Sequence, residues 1–185
     1  MHSFWQRLNA LFFFALSVLG FLAFAAAGTT IWHTASPNIS ISLKKILLRK
    51  IHGAGHDQAI LSLQIDADLR SVFNWNVKQL FVYVTAEYET DANVLNQVVV
   101  WDQIISEKQN AWIRSSSVAN KYSLTDQGYG LRGNNVTLVV NWNVVPSTGL
   151  LTLQHDYSSQ AVHSFIVPEE YAAPGSGSRD SGQDF

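Results

Sequence analysis

Serine, histidine and aspartate are the side chains of this sequence that could carry covalent chemistry, because it contains no cysteine. A serine hydroxyl attacks a carbonyl only when a base lies within hydrogen-bond reach and a third group orients that base. The candidates beyond the N-terminal apolar run are Ser62, Ser71, Ser106, Ser115, Ser116, Ser117, Ser123, Ser158 and Ser159, with His155 and His163 among the bases. None of these serines sits in a Gly-x-Ser-x-Gly elbow or a Ser-x-x-Lys pattern, and both histidines fall in polar strands or loops. No catalytic residue is therefore expected. Asp66 and Asp68 form a carboxylate pair in spacing only. They lie two apart on the wet face of an alternating stretch, with no burial to raise a pKa.

Metal and phosphate chemistry fare no better. His52-Gly53-Ala54-Gly55-His56-Asp57 has two histidines at i and i+4, a spacing that serves a metal on a helix. Gly53 and Gly55 argue against a helix, so a loop is expected there. Gly128, Gly130 and Gly133 are spread over a turn and do not open a helix, so they do not cradle a phosphate. A thiolate zinc site and a disulfide framework are excluded by the missing cysteines, and no cofactor is expected. The net charge of −2 and the lack of a basic stripe with stacking aromatics point away from nucleic acid.

The elements that position these residues read as β-structure. Ile60–Leu69 alternates strictly, with Leu61, Leu63, Ile65, Ala67 and Leu69 apolar and the residues between them polar. Leu80–Tyr88 and Leu95–Trp101 flank Glu89-Thr90-Asp91-Ala92-Asn93, the signature of a hairpin, with Leu80, Val82, Val84, Ala86 and Tyr88 on one side of the pleat. Phe81, Tyr83, Thr85 and Glu87 fall on the other side. Asn74-Trp75-Asn76 suits a corner, with the tryptophan offered to the core. Asn38–Leu43 begins the series and continues into Ile46–Leu48. Lys44-Lys45 and Arg49-Lys50 read either as a solvated edge or as a contact for anionic head groups or an acidic partner. Weak strands fall near Ala111–Arg114 and Lys121–Leu124, Val136–Val144 is a strong one ended by Pro146, and Leu150–Gln154 and Gln160–Val167 close the series. Asn141-Trp142-Asn143-Val144 echoes Asn74-Trp75-Asn76-Val77. The whole is an all-β antiparallel sandwich over residues 32–171, with a tail at 172–185 too rich in Gly, Ser and Asp to pack.

Leu8–Ile31 carries no charge, and about 20 helical residues cross a hydrocarbon layer. Its Leu, Ile, Phe and Val residues sum to roughly −4 to −7 kcal/mol for insertion, an upper bound. Arg7 with a small-residue site at Ala23-Phe24-Ala25 or Ala25-Ala26-Ala27 also fits a cleaved signal peptide; the length of the apolar run favours an anchor. Arg7 and the N-terminal amine place residues 1–7 in the cytosol, while Lys44, Lys45, Arg49 and Lys50 oppose that orientation from behind an uncharged spacer. Asn135-Val136-Thr137 is an N-glycosylation acceptor and is useful only on the lumenal side. A second acceptor, Asn38-Ile39-Ser40, lies close to the bilayer. Trp32 reads as an interfacial anchor or as the first core residue of the body.

Three stretches, FNWNVKQLFVYVTAEY, LNQVVVWD and NVTLVVNWNVVP in that order, resemble the subunit 3 family of the eukaryotic signal peptidase complex. The resemblance runs from the apolar N-terminus to about Pro168. It implies a single-span anchor in the endoplasmic reticulum membrane, a cytosolic N-terminus and a lumenal body. It also implies catalysis by a different subunit, with this one a non-catalytic accessory that touches preprotein substrates only indirectly. The expected partners are the catalytic signal peptidase subunit and the other membrane subunits. The residues offer Trp75, Phe81, Tyr83 and Trp101 as the partner-contact face, against the reading that both sheet faces are core. A peptidase in its own right and a secreted β-sandwich binding module are the other two functional classes.

Overall fold

The computed structural model describes residues 3–30, 32–50, 56–126, 130–156, 158 and 160–172. The expectations for His52–Gly55, Gln127–Tyr129, Ser159 and the tail from 173 onward lie outside the described residues. Among the described residues the chain runs through helix α1 (Phe4–Thr29) and then nine strands: β1 (Asn38–Lys50), β2 (Asp57–Asp68), β3 (Val77–Thr90), β4 (Asn93–Ile105), β5 (Trp112–Ala119), β6 (Leu124–Thr125), β7 (Asn135–Pro146), β8 (Thr152–His155) and β9 (Val162–Ile166).

Helix α1 begins four residues before the uncharged stretch, because Ser3 caps it: the Gln6 amide donates to the Ser3 hydroxyl at 3.3 Å. Its last turn is closed by the Thr29 and Thr30 hydroxyls, which donate to the Ala26 and Ala27 carbonyls at 2.8 Å. Its 26 residues make a rod of about 39 Å at about 1.5 Å each. None of them is buried, so rings such as Phe12, Phe21 and Phe24 face outward. The helix is long and apolar enough to cross a membrane.

The strands form two antiparallel sheets. The first has the order β1-β2-β5, with β6 beside β5 on the same side of β2. The second has the order β4-β3-β7, and the far side of β7 is shared, β8 along its C-terminal half and β9 along its N-terminal half. The sheets meet at their edges. The Ile41 amide donates to the Gln160 carbonyl at 3.0 Å, and the Tyr122 amide to the Val100 carbonyl at 3.1 Å. Such cross-links shorten the open edge that another strand could extend.

The core follows the alternation of β2, β3 and β7. Ala59, Leu61, Leu63, Ile65 and Ala67 face Leu80, Val82, Val84 and Ala86 and Val136, Leu138, Val140 and Trp142, all buried. Burying one such aliphatic side chain stabilises by about 1.5–3 kcal/mol, so these three strands contribute much of the apolar burial that joins the two sheets. The first strand runs unbroken through Lys44, where the pairing slips from Leu43↔Leu63 to Lys45↔Ser62 and leaves Lys44 as a bulge. β5 is longer than expected and β6 shorter. The Asn-Trp-Asn-Val echo is one of letters only. Trp142 is buried in mid-strand and donates its ring N–H to Gln154 at 2.8 Å, whereas Trp75 stands on a turn, 68% exposed.

Candidate functional site

Three of the hydroxyls that might have been nucleophiles, those of Ser62, Ser117 and Ser123, are engaged with other polar side chains, and none of the three meets a histidine. Ser62 and Ser117 share a hydrogen bond at 2.8 Å, Ser123 accepts from the Gln58 amide at 2.6 Å, and the buried Ser71 Oγ has no partner. His33 uses its ring N–H on the Ser71 carbonyl, and His163 stacks on Phe165. Asp66 and Asp68 are each tied to an arginine, Arg114 at 3.5 Å and Arg70. The Arg70 guanidinium holds the Asp68 carboxyl below its ordinary pKa. Both arginines lie over the Trp112 ring, at 4.8 and 4.2 Å from its centre. Among the described residues no group of three His, Cys, Asp or Glu side chains is placed to hold a metal. His56 lies just before β2, as the loop reading expects, whereas Asp57 opens β2 and turns its carboxylate to Arg132.

The surface that stands out is the outer face of the second sheet. On β3, Phe81 and Tyr83 point away from the core, half-buried, and their rings stack at 5.3 Å and 26°. Register fixes their neighbours. Phe81 lies between Ile104 of β4 and Asn143 of β7, with Leu153 of β8 beyond. Tyr83 lies between Asp102 and Asn141, with His155 beyond. Ile104 and Leu153 are exposed, so an apolar row crosses the sheet interrupted only by Asn143. Further along the same face a polar seam is closed: Asn141 donates to the Thr85 hydroxyl at 2.9 Å and to the Val139 carbonyl at 3.2 Å, and both side chains are buried. The Asn143 side-chain oxygen is buried without a partner. Loss of water around Tyr83 raises its hydroxyl pKa above the ordinary value. The face combines aromatic anchors, exposed aliphatics and a desolvated amide, the composition of the centre of a protein interface.

Of the four residues expected to make the contact, the structure brings two together. Trp75 sits at the end of the sandwich nearest α1. Trp101 is 5% exposed and faces the core opposite Val84. A bulge explains this: Val84 pairs with Trp101 but Thr85 with Val99, so Val100 is an extra residue and the alternation of β4 shifts by one. Ile104 and Leu153 were missed. Ile104 lies past the bulge, and Leu153 sits in a four-residue strand too short to show a period.

These features define a β-sandwich led by an apolar helix of membrane length, with one sheet face suited to being covered. A family model described as "Signal peptidase subunit" matches residues 1–170. The chain belongs to that family. It is 44% identical to signal peptidase complex subunit 3 of Gallus gallus over 159 residues, 83% of this chain and 88% of the relative. Against the Drosophila melanogaster protein of the same name it is 38% identical over 178 residues, 93% of this chain and 98% of the relative. The Homo sapiens protein of that name is 40% identical over 159 residues, 83% and 88% of the two chains.

Proposed function

We propose that this chain is a non-catalytic accessory subunit of the signal peptidase complex of the endoplasmic reticulum. Helix α1 anchors it with the N-terminus cytosolic and the sandwich lumenal. The outer face of the β4-β3-β7-β8 sheet grips the catalytic subunit and so helps it to remove signal peptides from nascent secretory and membrane proteins. The stacked Phe81–Tyr83 pair, with Ile104 and Leu153 on either side, carries this reading. Membership in the signal peptidase subunit family supports it. A scaffold needs no chemistry of its own. It needs a rigid sheet and desolvated anchors, and buried aromatic anchors each contribute about 2 kcal/mol or more to a typical interface.

The test is co-purification of the full chain from detergent-solubilised membranes, with the bound proteins identified. The wild-type chain brings down the catalytic subunit. Phe81→Ser combined with Tyr83→Ser stays in the membrane fraction but loses it. Wild-type recovery of the catalytic subunit with the double variant overturns this face. In a second arm the purified chain alone is mixed with a preprotein, and no cleavage is expected. Robust turnover by the chain alone removes the accessory reading.

A further inference from the structure

The end of the sandwich from which α1 departs is built differently from the opposite end. Three loops meet there: 32–37 at the helix exit, 69–76 between β2 and β3, and 146–151 between β7 and β8. Asn76, 2% exposed, locks the last two together. Its amide donates to the Thr148 carbonyl at 2.7 Å, and its side-chain oxygen accepts from the Thr148 amide and hydroxyl at 3.1 and 3.2 Å. His33 donates to the Ser71 carbonyl at 3.0 Å and ties the first loop to the second. On this fixed platform the apolar side chains point outward: Leu150 is 88% exposed, Leu151 63%, and Trp32 and Trp75 are exposed as well.

Their depth can be read from the helix. The 146–151 turn runs alongside the last turn and a half of α1, and Phe24, Ala27, Gly149 and Leu150 line one cleft of about 740 Å³ between them. The approach is close: Gly149 has φ +115°, and a Cβ there would stand 3.3 Å from that of Ala27. Phe24 is about 7.5 Å inside the C-terminal end of the helix. A rod of about 39 Å exceeds a hydrocarbon layer of about 30 Å by only a few ångströms at each end. Whatever lies beside Phe24 and Ala27 therefore lies at the lipid boundary. Charge agrees with that placement. Loops 32–37, 69–76 and 146–151 hold no Asp or Glu and one cation, Arg70. The neighbouring 106–111 segment adds Glu107 and Lys108. The opposite end carries Glu89, Asp91, Asp126, Glu169 and Glu170, which water must solvate.

We propose that this end of the sandwich rests in the lipid bilayer beside α1, with Leu150 and Leu151 dipping into the acyl boundary and Trp75 and Trp32 in the head-group layer. The chain then holds its membrane by a span and by an interfacial foot, which fixes the tilt of the sandwich and hence the height of its docking face. Tryptophan suits this layer because its ring is apolar while its N–H remains wet. The proposal rests on α1 being the membrane span.

Because the chain has no cysteine, single nitroxide labels can be placed one at a time in the full chain, reconstituted in phosphatidylcholine vesicles. Leu150→Cys tests the foot, Leu95→Cys at the other end of the sandwich is the wet control, and Leu16→Cys reports the span. All three positions are exposed on the chain, so folding is undisturbed. The label at Leu150 should collide with oxygen in preference to a water-soluble nickel complex, several-fold more than the label at Leu95. If the Leu150 and Leu95 labels are equally open to nickel while the Leu16 label is lipid-shielded, the foot is overturned and the span stands. If the Leu16 label is also open to nickel, the span itself fails and the foot with it. Shielding of Leu150 from both reagents means protein covers it, which also overturns the proposal.

Discussion

Asp57 is wholly buried at the first position of β2. Its two oxygens meet Arg132 at 3.1 Å and the Tyr171 hydroxyl at 2.9 Å, and Arg132 lies 5.5 Å from the centre of the Tyr171 ring. Together with the Ala172 amide on the Leu48 carbonyl, this cluster pins the C-terminal end of the sandwich to its second and first strands. Arg132→Met strands a carboxylate out of water. Breaking a buried pair costs about 3–5 kcal/mol, and the low end, about 3 kcal/mol, is expected because the Arg132 side chain is 39% exposed. Denaturant unfolding of the full chain in detergent measures it, and Asp57→Leu added to Arg132→Met should restore part of the loss. Tyr88 carries a pH dependence of its own. Burial, and then its hydrogen bond to Asp126 at 2.9 Å, push its hydroxyl well above the ordinary value of 10.0. The folded state therefore favours the neutral phenol. That contribution is whole below pH 10 and is lost as the pH rises above it, at up to about 1.4 kcal/mol per pH unit. Tyr88→Phe should unfold more easily at neutral pH but show a shallower loss of stability above pH 10.

At the scale of elements, what could be read from the sequence is what is periodic and continuous. The core sides of β2, β3 and β7 and the length of the apolar helix follow from alternation and from an unbroken uncharged run, since burial of every second residue leaves a local record. Phe81 and Tyr83 were readable for the same reason. Trp101 was not, because a bulge at Val100 reverses which side of β4 faces inward, and an extra residue in a strand leaves no trace in its hydropathy. The Asp57–Arg132–Tyr171 cluster and the Asn76–Thr148 clamp join residues far apart in the chain, so neither has a local signature. The Asn74-Trp75-Asn76 corner was legible as a turn, since the Asn76 amide does bond the Asn74 side chain at 2.9 Å; that its tryptophan faces out was not. Asn76→Ala should lose three side-chain hydrogen bonds at about 1 kcal/mol each, so a destabilisation of about 2–3 kcal/mol is expected. Hydrogen exchange gives the local reading: the Thr148 amide should exchange much faster in the variant, while amides in mid-β3 slow or speed only with global stability.

At the scale of the whole molecule, β7 acts as a ruler between the two ends of the sandwich. Pro146 lies at the end beside α1 and Asn135 at the other, separated by a strand of 12 residues, about 40 Å at about 3.4 Å each. Asn135 is exposed and opens the acceptor sequence Asn135-Val136-Thr137 at the end remote from α1. Asn38, the other acceptor, pairs with Asp68 at the near end, where the bilayer would crowd an added glycan. The Thr137 hydroxyl is tied to that of Ser164 at 2.9 Å once β9 docks, so modification belongs to the time before the strand pair closes. If the sandwich is lumenal, a glycan at Asn135 is accommodated by the folded state without disturbing Val136, whose side chain points into the core. The chain recovered from endoplasmic reticulum membranes should therefore lose mass on endoglycosidase treatment by one glycan. That shift should vanish in Asn135→Gln and persist in Asn38→Gln. A wild-type chain that enzyme treatment leaves unchanged would count against the lumenal placement of the sandwich, and a shift abolished by Asn38→Gln would place the near end further from the bilayer than the Gly149–Ala27 contact allows.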